Sequence, residues 1–306
     1  MNILSLVNAL PGAAAQGLIW GIMAIGVYLT FRILDVADLT VDGTMCTGGA
    51  VCVMMLMSGH NIWVSMLAAT GAGMLAGLAT GIFHTFMGIP AILAGILTQL
   101  GLYSANLKIM GKANQAVNGN KYNLLVSLRN VKGVPFYQNT ILIVAVFIVV
   151  LIAILYWFFG TELGCSLRST GCNPNMSRAQ GINTNVCKVL GLMISNGLVA
   201  LSSALLAQYQ GFADVNMGRG AIVIGLAAVI IGEAIFGRIF RKFALRLLSV
   251  AFGSILYYLV LQTVIWLGID TDLLKMLSAL VVAVFLAVPY WKTKYFTKPT
   301  KRGGNN

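Results

Sequence analysis

The chain has 306 residues, of which 58% are hydrophobic and 9% charged, and its mean hydropathy is +0.87. A soluble domain carries about 25% charged residues, so a water-facing surface over the whole molecule is excluded. The net charge of +12 does not point to nucleic acid, because Lys and Arg gather in a few short loops and in the tail "WKTKYFTKPTKRGGNN", the placement of a positive-inside membrane protein.

Apolar runs near the length of about 20 residues that crosses a hydrocarbon core recur along the chain. The whole of 1–306 therefore reads as one all-α polytopic membrane domain in a lipid bilayer. Nine spans are predicted, with eight and ten as alternatives: 15–34, 43–57, 63–87, 89–110, 141–159, 189–209, 221–235, 245–267 and 273–290. The opening "MNILSLVNALPGAAAQGLIWG" lacks the basic start of a signal peptide and leads into the first span. Spans two and seven, at about 15 residues, are short for a bilayer.

Between spans one and two lies "ILDVADLTVDGTMCTGG", which holds Asp35, Asp38 and Asp42, three of the eight acidic residues. Shifted by 176 positions, this region falls on the segment around span six. Gly21 then matches Gly197, Leu29 matches Leu205, Ala37 matches Ala213, Asp38 matches Asp214 and Gly49 matches Gly225. Both copies share one layout: a long span, an "AD" break and a short apolar span. An odd number of spans separates them, so they run oppositely through the membrane, as inverted-topology repeats do. The halves cover approximately 13–110 and 189–291.

A broken membrane helix leaves amides and carbonyls that need partners. Asp38 and Asp214 are accordingly read as N-caps of the short spans. The competing reading places Asp38, Asp42 or Asp214, with Asn216 nearby, on a solute pathway. Gln99, Tyr103 and Asn106 recur at about one helical turn in span four, a polar stripe that either bonds a neighbouring helix or faces a cavity. Gly73 and Gly77 of span three read as a close-packing face. Glu233 reads as a satisfied helix-end carboxylate near Arg238, with a pathway role as the alternative. Cys46, Cys52, Cys165, Cys172 and Cys187 show no CxxC, and His60 and His84 have no metal-spaced partner. No metal and no cofactor are expected.

Arg168, Arg178 and Lys188 lie between spans five and six. Arg238, Arg241, Lys242 and Arg246 follow span seven, and Lys292, Lys294, Lys298, Lys301 and Arg302 follow span nine. Their alternation makes these three segments cytoplasmic, with the N-terminus outside and the C-terminal tail (292–306) inside. The loop 111–140 then falls outside despite Lys112, Lys121, Arg129 and Lys132, and its polar composition reads as a folded exterior excursion. In the inner loop 160–187, residues 174–180 form a short helix with Asn173 as cap and Gly181 as stop.

The run "TELG…LRSTGCNPNMSRAQGIN" followed by "GLVALSSALLAQYQGFADVNMGRG" resembles the permease subunits of bacterial ABC importers. The nearest group is that of branched-chain amino acid and simple-sugar importers, and within it the compact branch often tied to aromatic amino acid uptake. The resemblance implies a coupling helix that sits in a cleft of the ATPase, carried over here onto Asn173, Pro174, Ser177, Arg178, Ala179, Gly181, Ile182 and Asn183. It also implies a working unit in the bacterial inner membrane: two permease copies, two ATP-binding subunits and an extracytoplasmic solute-binding protein. The solute would be small, an amino acid of aromatic or other hydrophobic character, with nucleosides and sugars as alternatives because the first break is more acidic than in branched-chain members. No G-x-x-x-x-G-K-[ST] occurs, so ATP hydrolysis falls to a separate subunit and this chain is no enzyme. An ion-coupled secondary transporter shares the repeat logic but should hold several mid-membrane carboxylates. An intramembrane enzyme would need an HExxH or Ser/His arrangement, which is missing.

Overall fold

The first helix, α1 (Ile3–Tyr28), is apolar all round and continues through a π-helical turn at Leu29–Ile33. A helix without a polar face is one that is buried on every side, and most of this one is indeed enclosed by protein. The structure is a computed structural model that describes residues 3–117, 122, 124–131, 139–237, 239–240, 242–267 and isolated positions between 273 and 287. The expected ninth span is thus described only at scattered positions. The tail 292–306, with Lys121, Lys132, Arg238 and Arg241, lies outside the described residues.

After α1 come α2 (Thr40–Met57), α3 (Ile62–Thr85), α4 (Ala91–Met110), α5 (Thr140–Gly160), α6 (Glu162–Cys172), α7 (Pro174–Ala179), α8 (Thr184–Gln210), α9 (Ala221–Phe236) and α10 (Phe243–Trp266). Among the described residues, seven helical runs are long and apolar enough to cross a membrane, and α9 is a shorter apolar helix. Eight of the nine expected spans are therefore present as helices. Two expectations shift. The second span begins at Thr40 and reaches 18 residues, so only α9 is short. The first begins well before position 15, because Pro11 sits inside α1 without ending it. The amphipathic helix α6 was not foreseen. Thr161 starts it, its Oγ1 accepting the N–H of Gly164 at 3.3 Å.

Packing around α1 is set by small residues and hydroxyls. Ser195 donates to the carbonyl of Gly26 (2.7 Å), Ser202 to Ile19 (2.7 Å) and the Tyr209 hydroxyl to Gly12 (3.1 Å). One number falls by seven as the other rises by seven, which fixes α8 antiparallel to α1. Without a hydrophobic drive between helices in lipid, such bonds and close backbone approach hold the bundle. The glycine face expected on α3 does this against α8. A Cβ on Gly73 would meet Asn196 and Ala200, and one on Gly77 would meet the Leu192 carbonyl.

Two breaks interrupt the bundle, at opposite ends. The first, between α1 and α2, lies beside α6, where a Cβ on Gly171 would strike the Ile33 carbonyl. It contains Asp35 at φ +53°, the one non-glycine residue with positive φ among those described; Asp tolerates that region better than most side chains. The second follows α8 and forms strand β2 (Phe212–Asp214), paired antiparallel with β1 (Asn114–Ala116) from the polar excursion after α4.

Candidate functional site

Asp38 is 2% exposed. Its Oδ1 accepts the N–H of Thr40 at 2.9 Å, and its Oδ2 accepts the Asn196 amide of α8 at 2.7 Å. Asp214 repeats the pattern: Oδ1 accepts the N–H of Asn216 at 2.6 Å, and Oδ2 accepts the Asn114 amide of β1 at 3.3 Å. The internal offset thus places two aspartates in one local geometry, a carboxylate bonded to the amide two residues on. Neither is the expected N-cap. Leu39 and Gly220 occupy the cap positions of α2 and α9, and neither makes a side-chain cap bond.

The cap of α9 comes from α2. Asp42, in the first turn of α2, accepts the N–H of Gly220 and that of Ile222, both at 3.0 Å. A carboxylate at a helix N-terminus satisfies free amides and meets the positive end of the helix dipole. Glycine at 218 is what permits the approach, since a Cβ there would strike the Asp42 carbonyl. Cys46, one turn on, donates its thiol to the Val215 carbonyl at 2.5 Å. The start of α2 is thereby fastened to the second break.

Next to this junction opens a cavity of about 370 Å³, lined by Asp42, Gly43, Cys46, Gln99, Leu100, Tyr103, Asn106, Val215 and Arg219. Of the seven residues proposed from sequence for a pathway, it gathers Asp42, Gln99, Tyr103 and Asn106. Asp38, Asp214 and Asn216 are not in its wall: their bonds are spent on the two breaks. The polar stripe of α4 both faces the cavity and bonds a neighbour, since Asn106 Nδ2 lies 3.5 Å from the Gly43 carbonyl. Asn106 is fully buried, yet its Oδ1 has no partner.

Arg219 was not singled out from sequence. Its side chain makes no hydrogen bond or ion pair among the described residues, while the Asp42 carboxylate is already committed to two amides. The signal that could have found it was available: within "FADVNMGRG" it is the one cation in the second break. Glu233 has a bonded partner, Arg32, while the expected neighbour Arg238 lies outside the described residues. The Glu233 carboxylate receives Arg32 Nη2 at 2.5 Å and Arg32 Nε at 3.0 Å, at the α6 end of the bundle.

The residues expected to form a coupling helix do form a short helix, α7. Asn173 caps it, with Oδ1 accepting from Asn175 and Met176 at 3.1 Å each. Pro174 occupies its first turn, and Gly181 follows at φ +82°. Ser177 is buried and bonds Ser169 of α6 at 3.2 Å. Arg178 Nε donates to Thr184 of α8 at 2.9 Å, and Asn183 caps α8 through the amides of Asn185 and Val186. Most of the proposed coupling residues therefore build the loop. Asn175, Met176, Arg178, Ala179 and Gln180 are exposed, and Met176, 57% exposed, is the large apolar side chain among them.

The sequence profile described as branched-chain amino acid transport system / permease component matches residues 10–288. The tyrosine transport system permease protein of Clostridioides difficile is 39% identical over 89% of this chain and 88% of its own length. The fructose import permease protein FruF of Bifidobacterium longum is 27% identical over 87% of this chain and 73% of its own. Among solved structures, PsaBC from Streptococcus pneumoniae in complex with Fab aligns over 96% of this chain and 100% of that one. Its TM-score is 0.54 at 16% identity, a likeness of fold alone.

Proposed function

This chain belongs to the family of branched-chain amino acid transport permease components, and on that premise we propose that the Arg219 cavity is a stretch of the route for an amino acid solute. The chain is a multi-pass permease subunit of an ABC importer, and ATP hydrolysis resides in a separate subunit. In this reading the working unit holds two copies of the permease, two ATPases and an external binding protein. The end bearing α6 and α7 faces the cytoplasm, and α7 docks on the ATPase through Met176. The single domain is built of two inverted halves.

The observation that carries the proposal is Arg219, exposed in the wall of a polar cavity and without a side-chain partner among the described residues. A charged side chain among membrane helices is costly and faces the bundle interior or a water-filled space. With Asp42 held by α9, the cavity keeps one uncommitted cation, suited to a carboxylate. Tyr103, 44% exposed on the same wall, offers a ring face to an aromatic side chain. The C. difficile relative's name supports an aromatic amino acid; the B. longum relative's name brings a sugar as the second reading, for which an unpaired guanidinium has less use.

The test is ATP-dependent uptake by the complex reconstituted with its binding protein, offered L-tyrosine, L-leucine and fructose. Uptake of tyrosine above the others supports the proposal. Uptake of fructose alone overturns the solute class. Loss of tyrosine uptake in Arg219→Gln, with binding-protein docking retained, assigns the residue; unchanged uptake removes it from the route.

A further inference from the structure

At the α6 end of the bundle, three arginines from three helices converge on one cavity. Arg32 closes the π-turn of α1, Arg168 lies on α6 and Arg246 in the first turn of α10. With Tyr28, Ile33, Cys172 and Phe243 they line about 360 Å³. The one carboxylate bonded there among the described residues is Glu233, which pairs with Arg32. Three positive groups against one negative leave the cavity with two uncompensated cations.

This cavity has an apolar continuation. Arg168 and Phe243 also line a neighbouring space of about 460 Å³ with Tyr156, Trp157, Phe159, Gly160 and Thr161. Arg168 sits between the two, its Nη2 donating to the Phe159 carbonyl at 2.7 Å and its guanidinium 5.7 Å from the Phe243 ring centre. Trp157, 72% exposed, then reaches a third space of about 540 Å³ walled by Phe147, Ile154, Leu155, Leu198 and Leu201. That last space lies along α5, the most apolar helix of the chain. Cationic donors, then aromatic rings, then a greasy groove follow one another along the helix axis. The order matches that of an anionic lipid: phosphate, glycerol and acyl chain.

We propose that this end of the permease holds an anionic phosphoglycerolipid, its phosphate among Arg32, Arg168 and Arg246 and an acyl chain along α5. Basic cavities between membrane helices suit such headgroups, and Trp and Tyr favour the interfacial depth that this placement requires. Free phosphate has no use for the aromatic and apolar continuation. A lipid bound here touches α1, α6 and α10 together and ties the coupling loop to the bundle.

The proposal is tested on the assembled transporter in mixed phosphatidylglycerol and phosphatidylcholine, by native mass spectrometry of retained lipid. Wild type should retain phosphatidylglycerol preferentially. Arg168→Gln with Arg246→Gln should cut that preference about thirtyfold, at roughly a factor of five per arginine near an anionic surface. Equal retention in wild type and variant overturns the proposal. Loss of the ATPase from the variant with lipid retention unchanged overturns it too, by making the cavity a protein interface. A wild-type measurement guards against misfolding of the variant, because Cys172 lines the cavity and is exposed. Its maleimide labelling should slow in phosphatidylglycerol relative to phosphatidylcholine. Equal labelling in the two lipids, or the same protection from inorganic phosphate in phosphatidylcholine, overturns the lipid assignment.

Discussion

The Asp42 carboxylate caps a distant helix, accepting the backbone N–H of Ile222, 180 residues away in the chain, at 3.0 Å. The first turn of α2 thereby supplies the helix cap that the second break lacks. Across the repeat, position 42 corresponds to Gly218, and those two residues touch, with the glycine making room for the Asp42 backbone.

Asp42→Ala should therefore loosen α9 from α2. A cap is worth about 0.5–2 kcal/mol, so a fall in melting temperature is expected, with faster amide exchange at Gly220 and Ile222. Asp42→Asn keeps one acceptor oxygen and should lose less. An Ala variant with wild-type melting and exchange would remove the cap from the account.

The two repeat-related aspartates should part company on amidation. Asn196 Nδ2 donates to Asp38 and to the Leu192 carbonyl, while its Oδ1 accepts from Thr44, so it cannot turn round without losing these bonds. Asp38→Asn then sets donor against donor in a buried place, at about 1–3 kcal/mol for the unsatisfied group. Asp214 is only partly buried and its partner Asn114 can rotate, so Asp214→Asn should melt like wild type. Partial recovery of Asp38→Asn by Asn196→Asp would support the geometry; equal tolerance at both sites would count against it.

On α3, alanine should be harmful at some glycines and harmless at another. Gly73→Ala and Gly77→Ala drive a methyl into α8, an overpacking worth about 1–3 kcal/mol. Gly71, with nothing within 4 Å of its would-be Cβ, should gain about 0.5–1 kcal/mol as alanine from helix propensity. Thermal unfolding of the three variants in one detergent checks the order.

In the loop that carries α7, Met176→Asp should abolish stimulation of ATP hydrolysis by loaded binding protein while the melting temperature stays put, because Met176 bonds the fold only through its backbone. Arg178→Ala should instead lower stability by about 1 kcal/mol, the ordinary worth of one hydrogen bond, through the lost contact with Thr184. ATPase assays and melting curves on the two variants separate docking from loop-building. The reverse pattern would restore Arg178 as the docking residue.

Orientation can be read from native cysteines. Cys165 and Cys172 are exposed on α6, whereas Cys46, Cys52 and Cys187 are buried. An impermeant maleimide should label the first two in inside-out vesicles and leave them untouched in intact cells. Labelling from the cell exterior would invert the topology.

How much of this was legible beforehand depended on whether the signal was local. Helix existence was, because span length and apolarity follow from the 30 Å core and the backbone's need for internal hydrogen bonds. Asn173, Pro174 and Gly181 spelled out α7, since capping and stopping are written in adjacent residues. The 176-position offset was also legible, and the two aspartates it pairs, Asp38 and Asp214, make matching bonds. Sequence alone could not say which carboxylate caps α9: Asp42 and Ile222 meet only when α2 and α9 are brought together, and a cap in trans leaves no spacing to read. Nor could it say that Asp38 is sealed against Asn196 while Gln99, Tyr103 and Asn106 open on one cavity with Arg219. Polar residues in a membrane helix need either a bonded neighbour or a wet wall, and the choice between the two belongs to the helix that packs, or fails to pack, against them.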